Sequence, residues 1–325
     1  MEIETEKSLV IGLDMGGTNS VFGIVDQRGN IKSQTVISST AYPEFDDYVK
    51  ASVDALQPAL DAVGGIGNVR AMGIGAPNSN YYNGCIENAA NLVWPGIVPV
   101  AEKFQEALGI PCRVTNDANA AAMGEMTYGV ARGMKNFIMI TLGTGVGSGI
   151  VANGNLIYGS DGFAGELGHS IMFFDNGRKC GCGRSGCLDM YCSSRGVVMT
   201  AKEMLAEEGA QSSLANIPAD KMTTLDIFNA AEAGDKLAQM VFRRTGEILG
   251  KACANFATFL SPEAFIFFGG VAKAGDWLLK PAKETYDKYV LSLYRGKAKF
   301  LTSTLENGTA AILGTAALAW QETAK

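Results

Sequence analysis

Apolar runs of strand length recur along this chain in one repeated order, separated by longer stretches of helical period. Residues 9–31 (LVIGLDMGGTNSVFGIVDQRGNI) read as strand, glycine turn, strand, polar turn and the start of a third strand. The same grammar returns at 137–157 (FIMITLGTGVGSGIVANGNLI). Gly17-Thr18 aligns there with Gly143-Thr144, and Gly23-Ile24-Val25 with Gly149-Ile150-Val151, at one constant offset and without a gap. A third echo follows each hairpin, where residues 71–75 and 265–270 are short apolar strands that end in glycine. A repeat on this scale predicts two similar α/β domains facing each other.

The intervening segments carry helical spacing. Residues 44–63 predict a helix with a kink at Pro58, and the Ala- and Met-rich run 117–128 predicts another just after a strand at 112–115. Residues 195–208, 224–233 and 235–260 make the second half helix-rich, and the polar stretch 207–222 reads as a mobile connection. Asn307 is expected to cap a final apolar helix, 308–322, which packs back on the first lobe. The domains implied are a smaller α/β domain, 1–115 plus 308–325, and a larger one, 116–307, that contains the cysteine-rich loop.

Composition narrows the class without changing this outline. A chain of 325 residues with 47% hydrophobic and 18% charged residues is that of a globular protein with room for two cores. The opening MEIETEKS is too acidic and short for a secretion signal, no apolar run reaches membrane-spanning length, and a cytoplasmic location is expected. A net charge of −6 argues against a nucleic-acid-binding surface.

The chemistry concentrates in Glu166-Leu167-Gly168-His169, Cys180-Gly181-Cys182 and Cys187-Leu188-Asp189, which hold the only histidine and three of the seven cysteines. Three thiolates and one imidazole make a closed tetrahedral Zn²⁺ site, structural because no coordination position is left open. Buried unligated thiols are the plainer reading, but a run this rich in glycine and polar residues suits them poorly. Cys85, Cys112, Cys192 and Cys253 stand in apolar or mixed contexts and read as ordinary buried thiols.

The turn Asp14-Met15-Gly16-Gly17-Thr18-Asn19 sets a carboxylate beside backbone N–H groups and a hydroxyl, a combination suited to phosphate and Mg²⁺. Leu142-Gly143-Thr144-Gly145 offers a second such turn, and Gly269-Gly270 a place for a flat base against bare backbone. Taken singly, each reads first as a β-turn without a ligand; three in repeat register point towards a nucleotide. The run GTGVGSG looks like a dinucleotide fingerprint, but a strand follows it where that motif needs a helix. Asn116-Asp117, at a strand end and a helix start, is equally a helix cap or a general base for a substrate hydroxyl.

Together, Asp14-x-Gly16-Gly17-Thr18, Asn116-Asp117, Leu142-Gly143-Thr144-Gly145, Glu166-x-Gly168-His169 and Cys180-x-Cys182-Gly183-x-x-Gly186-Cys187 resemble the ROK family of repressors, open reading frames and sugar kinases. The resemblance covers essentially the whole chain, in order. It implies an α/β, two-lobed, actin-like or hexokinase-type (ribonuclease H-like) ATPase fold with a structural zinc loop, and with ATP and sugar in the cleft between lobes. It implies zinc on His169, Cys180, Cys182 and Cys187, sugar hydroxyls on Asn116, Asp117, Glu166 and His169, and Asp117 as the base. Two positions depart from the family. Asp189 stands where a sugar-binding glutamate is usual, so its contact is expected to be longer, with water between. Asn78 follows Pro77 where glycine is usual, at the expected sugar edge.

The function so implied is that of a transferase of carbohydrate metabolism and glycolysis, an ATP- and Mg²⁺-dependent hexose kinase most similar to ROK glucokinases. Kinases of N-acetylhexosamines, mannose, fructose or allose are the alternatives within the family. A homodimer or homotetramer is expected. A sugar-responsive regulator would need a DNA-binding domain before the first strand, for which residues 1–8 leave no room. A non-catalytic scaffold of the same fold would leave the cysteine-and-carboxylate loop unexplained.

Overall fold

The computed structural model describes residues 7–208, 211–305 and 309–322. The expected cap at Asn307 and the reading of residues 1–6 lie outside the described residues. By contacts the chain divides into two units, the first comprising 1–133, 156–164 and 304–325 and the second 134–155 and 165–303.

The first unit is built on a five-stranded sheet. Strands β1 (Leu9–Met15), β2 (Asn19–Asp26) and β3 (Ile31–Ser38) form an antiparallel meander, with Leu9 opposite Asp26 and Met15 opposite Ser20. Helix α1 (Phe45–Ala62) runs on through Pro58 and leads to β4 (Val69–Gly75), which lies parallel to β1. A small three-stranded sheet, β5 (Ser79–Asn80), β6 (Cys85–Glu87) and β7 (Ile97–Val98), precedes α2 (Val100–Leu108). Strand β8 (Cys112–Thr115) then adds in parallel to β4, giving the order β3-β2-β1-β4-β8, and helix α3 (Asp117–Thr127) follows. The central position of β1 explains why its sequence is an unbroken apolar run up to Asp14: nearly every residue of it is buried.

The second unit repeats the plan. Strand β9 (Phe137–Leu142) forms a hairpin with β10 (Val146–Ala152), and β11 (Asn155–Leu156) lies beside β10. After α4 (Asp189–Cys192), α5 (Ser194–Glu208), α6 (Thr224–Glu232) and the long α7 (Lys236–Leu260), β12 (Ala264–Phe268) returns parallel to β9. Helix α8 (Asp276–Tyr289) and β13 (Lys299–Thr302) complete the order β11-β10-β9-β12-β13, the same as in the first unit. The repeat read from the glycine turns is therefore a repeat of sheet topology. Within the polar stretch 207–222, Ser212 and Ser213 bond the Asp235 carboxylate at 2.7–2.9 Å, and Asp235 in turn caps α7 through the N–H groups of Leu237 and Ala238. Those bonds anchor Ser212 and Ser213, while residues 209–210 of the stretch lie outside the described residues.

Helix α9 (Ala310–Glu322) belongs to the first unit and lies directly on its sheet. A Cβ on Gly73 would come 1.9 Å from the Thr315 carbonyl oxygen, so only glycine admits this approach. The same helix packs against α3, where a Cβ on Gly314 would stand 2.1 Å from the Ala120 carbonyl oxygen. That contact corrects the domain boundary placed at 115/116: α3, expected in the larger domain, packs with the first unit, and the division falls at 133/134. The alanines of α3 supply the small surface this close crossing needs.

Candidate functional site

In the first unit, β1 ends on Asp14 and β8 delivers Asn116 and Asp117 to the start of α3. Asn116 has the extended backbone of a cap, and its Oδ1 accepts the Ala118 N–H at 2.9 Å. Asp117 Oδ1 accepts the same N–H at 2.7 Å. Asn116 fills the capping position, while Asp117, at the first helical position, shares that N–H through Oδ1 and stays open to solvent. Asp117 is open to solvent yet recessed, and desolvation raises its pKa above the usual carboxylate range. Asp14, half-buried, is pushed up to about 6 by burial and then by the charge of Asp117. Two carboxylates of raised proton affinity, one of them raised further by the other's charge, form a natural place for a divalent cation, which would favour both charged forms.

The turn after Asp14 is tight: the Gly16 N–H donates to the Asn19 carbonyl at 3.0 Å, and Thr18 and Asn19 are exposed. A Cβ on Gly17 would stand 2.5 Å from the Asn91 carbonyl oxygen, so packing alone explains this glycine. Asn78 adopts a left-handed backbone (φ 51°), which asparagine tolerates better than other residues with a Cβ. Its Nδ2 donates to the carbonyls of Glu87 and Asn88 at 3.1 and 3.2 Å, fixing the side chain to the small sheet.

In the second unit, His169, Cys180, Cys182 and Cys187 come together, with all four ligand atoms within 4.8 Å of one another. The local fold explains the gathering. Cys180 N–H donates to the Arg184 carbonyl at 2.8 Å, turning the chain through Gly183 (φ 88°), and isolated bridges pair Lys179 with Ser185 and Ile171 with Cys187. His169 Nδ1 lies 3.7 Å from Cys180 Sγ, and Cys182 Sγ lies 3.7 Å from Cys187 Sγ. Four ligands at zinc–sulfur distances in a tetrahedron stand about 3.8 Å apart, so the residues fit Zn²⁺, whereas a disulfide would need about 2 Å. Burial pushes the Cys187 thiol up, while hydrogen bonds from Arg184 draw Cys182 down, an imbalance that a divalent cation would remove by binding all three as thiolates. Glu166 is exposed at the head of the short turn Leu167–His169, which sits so close on β10 that a Cβ on Gly168 would stand 2.0 Å from the Val146 carbonyl oxygen. Of the other cysteines, Cys112, Cys192 and Cys253 are buried as expected and Cys85 only half-buried.

A mostly apolar cavity of about 480 Å³ opens in the same unit, lined by Gly143, Thr144, Gly270 and Ala274 together with residues the sequence had not suggested: Ser194, Thr224, Leu225, Phe228, Phe242, Val271 and Lys273. Leu225 and Phe228 lie on α6, where nothing in the sequence set them apart from ordinary apolar helix positions. The expected pair Gly269-Gly270 separates in role. Gly269 needs its left-handed backbone (φ 99°) and close contact with Leu142, and so is a turn residue. Gly270 has ordinary helical dihedrals (φ −62°, ψ −39°), and a Cβ there would meet nothing within 4 Å. Neither backbone nor packing demands glycine at 270, and the open space beside it belongs to the cavity. Gly270→Val is accordingly expected to leave the unfolding temperature within about 2 °C while raising KM for the nucleotide by roughly 10-fold, as lost packing against a ligand of this size allows. Equal nucleotide affinity in the two proteins would remove Gly270 from the site.

Asp189, expected at the sugar, is instead buried at the first position of α4 with both oxygens engaged: Oδ1 accepts the Val146 N–H at 2.7 Å, and Oδ2 pairs with Arg195 Nη2 at 2.9 Å.

Comparison with known proteins was consistent across sequence and structure. The ROK family profile matches residues 10–322. A glucokinase of Halalkalibacterium halodurans is 38% identical over 316 residues, covering 94% of this chain and 93% of its own, and one of Streptomyces coelicolor is 36% identical over 317 residues, covering 96% and 97%. The crystal structure of a ROK family glucokinase from Streptomyces griseus, in complex with glucose and AMPPNP, superposes with a TM-score of 0.78 at 35% identity, covering 96% of this chain and 99% of that one.

Proposed function

Since the chain belongs to the ROK family, we propose that it is an ATP-dependent hexose kinase whose substrate is glucose and whose product is glucose 6-phosphate. The observation that carries this reading is Asp117, a recessed carboxylate of raised proton affinity at the start of α3, beside the Asn116 that caps the helix. A base so placed accepts the proton of the sugar's primary hydroxyl as its oxygen attacks the γ-phosphorus of ATP, with ADP as the leaving group.

The remaining roles follow the residues. In the first unit, Asn116 orients the sugar, and the turn Gly16-Gly17-Thr18-Asn19 offers N–H groups and a hydroxyl to phosphate. In the second unit, Glu166 and His169 take further sugar hydroxyls, Gly143-Thr144-Gly145 takes phosphate, and the cavity at Gly270 takes the base. Mg²⁺ held near Asp14 would supply neutralising charge for the phosphates. Zinc on His169, Cys180, Cys182 and Cys187 would fix the loop that carries Glu166. Asn78, tethered beside the small sheet, closes the edge that an N-acetyl group would need, which favours glucose over N-acetylated sugars. No described helix is long and apolar enough to cross a membrane, which accords with a cytoplasmic enzyme of glycolysis; a homodimer or homotetramer is its proposed form.

The raised carboxylates set a pH dependence. Asp117 and Asp14 act in their charged forms, so activity falls as pH drops through their elevated pKa values. The acid limb of log kcat/KM is expected near pH 6 instead of near 4, and excess Mg²⁺ should move it to lower pH by favouring ionised Asp14. A limb near pH 4, insensitive to Mg²⁺, would detach these two groups from turnover.

The test of the sugar is ATP-dependent phosphorylation measured across glucose, mannose, fructose, allose, N-acetylglucosamine and N-acetylmannosamine. The reading expects the highest kcat/KM for glucose; a clear preference for an acetylated sugar would replace glucose and overturn the role of Asn78.

A further inference from the structure

The segment that follows the last cysteine is fastened to the turn Gly143–Gly145 at both ends of that turn. At one end, the Ser194 N–H donates to the Gly143 carbonyl at 2.8 Å. At the other, Asp189 Oδ1 accepts the N–H of Val146, the residue directly after Gly145, at 2.7 Å. The same oxygen stands only 3.2 Å from where a Cβ on Gly145 would lie, so the carboxylate rests against the turn itself. Its other oxygen is held by Arg195 at 2.9 Å, and the Asp189 carbonyl accepts the Ser193 hydroxyl at 2.6 Å. Gly143, Thr144 and Ser194 all line the apolar cavity. Upstream, the Leu188 N–H donates to the Ser170 carbonyl at 2.9 Å, anchoring the brace in the cysteine-rich loop.

We infer that Asp189 is a positioning residue for the nucleotide: it sets the Gly143–Gly145 turn against which ATP binds, and it does not contact the sugar. The inference rests on the kinase reading for the identity of the nucleotide. Asp189 is only 6% exposed and each of its oxygens is held by a protein partner, which leaves a sugar hydroxyl little access to the carboxylate. Aspartate also has the length this task requires. One further methylene would carry the carboxylate about 1.5 Å onward, into the space the Gly145 turn occupies. Glutamate at this position could not make the same bond to Val146 without moving the turn.

The test is direct titration of ADP and, separately, of glucose into the purified wild type, Asp189→Ala and Asp189→Glu, beside the KM values for ATP and glucose. Losing the only side-chain partner of a buried N–H corresponds to about 10-fold in affinity, so ADP should bind Asp189→Ala roughly 10-fold more weakly. Asp189→Glu should also weaken ADP, by a few-fold, and glucose affinity should stay within about 2-fold in both. If Asp189→Ala does not fold, Asp189→Glu decides alone. The inference is overturned if ADP affinity is unchanged, if glucose affinity changes as much as ADP affinity, or if Asp189→Glu tightens glucose. Wild-type protein that binds ADP but phosphorylates no hexose would defeat the kinase reading and leave the ADP comparison to decide the role of Asp189.

Discussion

Asp117→Asn is expected to lower kcat by about 10²–10⁴-fold, the range lost when a positioned general base is removed. The substitution keeps the side chain's size and can keep its acceptor oxygen towards the Ala118 N–H, and Asn116 continues to cap α3. Helix and fold should therefore survive, with an unfolding temperature at or above that of the wild type, because a carboxylate of raised pKa is replaced by a neutral group. The sign follows from linkage: the folded state holds a proton on Asp117 more tightly than the unfolded chain does, so near neutral pH its ionised form costs stability. Glucose binding should remain measurable, since the amide still offers a donor and an acceptor. Turnover within a few-fold of wild type, measured under saturating ATP and glucose, would take Asp117 out of the mechanism.

Loss of the proposed zinc is expected to have the second large effect. Elemental analysis is expected to give about one zinc per chain, and Cys187→Ser to lose it. Cys187 is fully buried and bridges to Ile171 through its backbone, so the serine would leave a buried hydroxyl in place of a thiolate ligand. Metal binding to a site that the unfolded chain lacks is folding free energy, and its loss should lower the unfolding temperature by roughly 5–10 °C in a chain of this size. The loop that holds Glu166 and the brace through Leu188 and Asp189 should become protease-sensitive at the same time. Metal-free protein with unchanged unfolding temperature and loop protection would contradict a structural role.

The hydrophobic pattern carried the architecture further than the site. Gly17-Thr18 and Gly143-Thr144 mark hairpins whose strands have the same order and the same mixture of antiparallel and parallel neighbours in both units. This was legible because a central strand must be apolar throughout, as in Leu9–Met15, and a tight turn must be glycine-rich. The cysteine cluster was legible for a similar reason, since three thiols and one imidazole so close in sequence have few other arrangements. The boundary at 115/116 failed because helical period does not reveal a partner: α3 joins the first unit through a crossing with α9, almost two hundred residues away in sequence. The partners of Asp189 were illegible for a related reason. Its spacing from the cysteines is visible, but the Val146 N–H that claims its carboxylate comes from a strand more than forty residues earlier. Glycine itself is ambiguous in sequence: Gly17 and Gly269 answer to packing and dihedrals, whereas Gly270 answers to neither. The apolar wall of the cavity had no motif at all, because Leu225, Phe228 and Val271 are ordinary apolar residues brought together only by the fold.

The central claim is transfer of the γ-phosphoryl group of ATP to the primary hydroxyl of glucose. The most direct measurement incubates purified protein with ATP, Mg²⁺ and glucose, and follows ADP and sugar phosphate together by ³¹P NMR. Glucose 6-phosphate appearing in a one-to-one ratio with ADP, with negligible ADP in the absence of sugar, is the predicted result. ADP formation that does not depend on glucose, or phosphate carried on the anomeric oxygen, would contradict it.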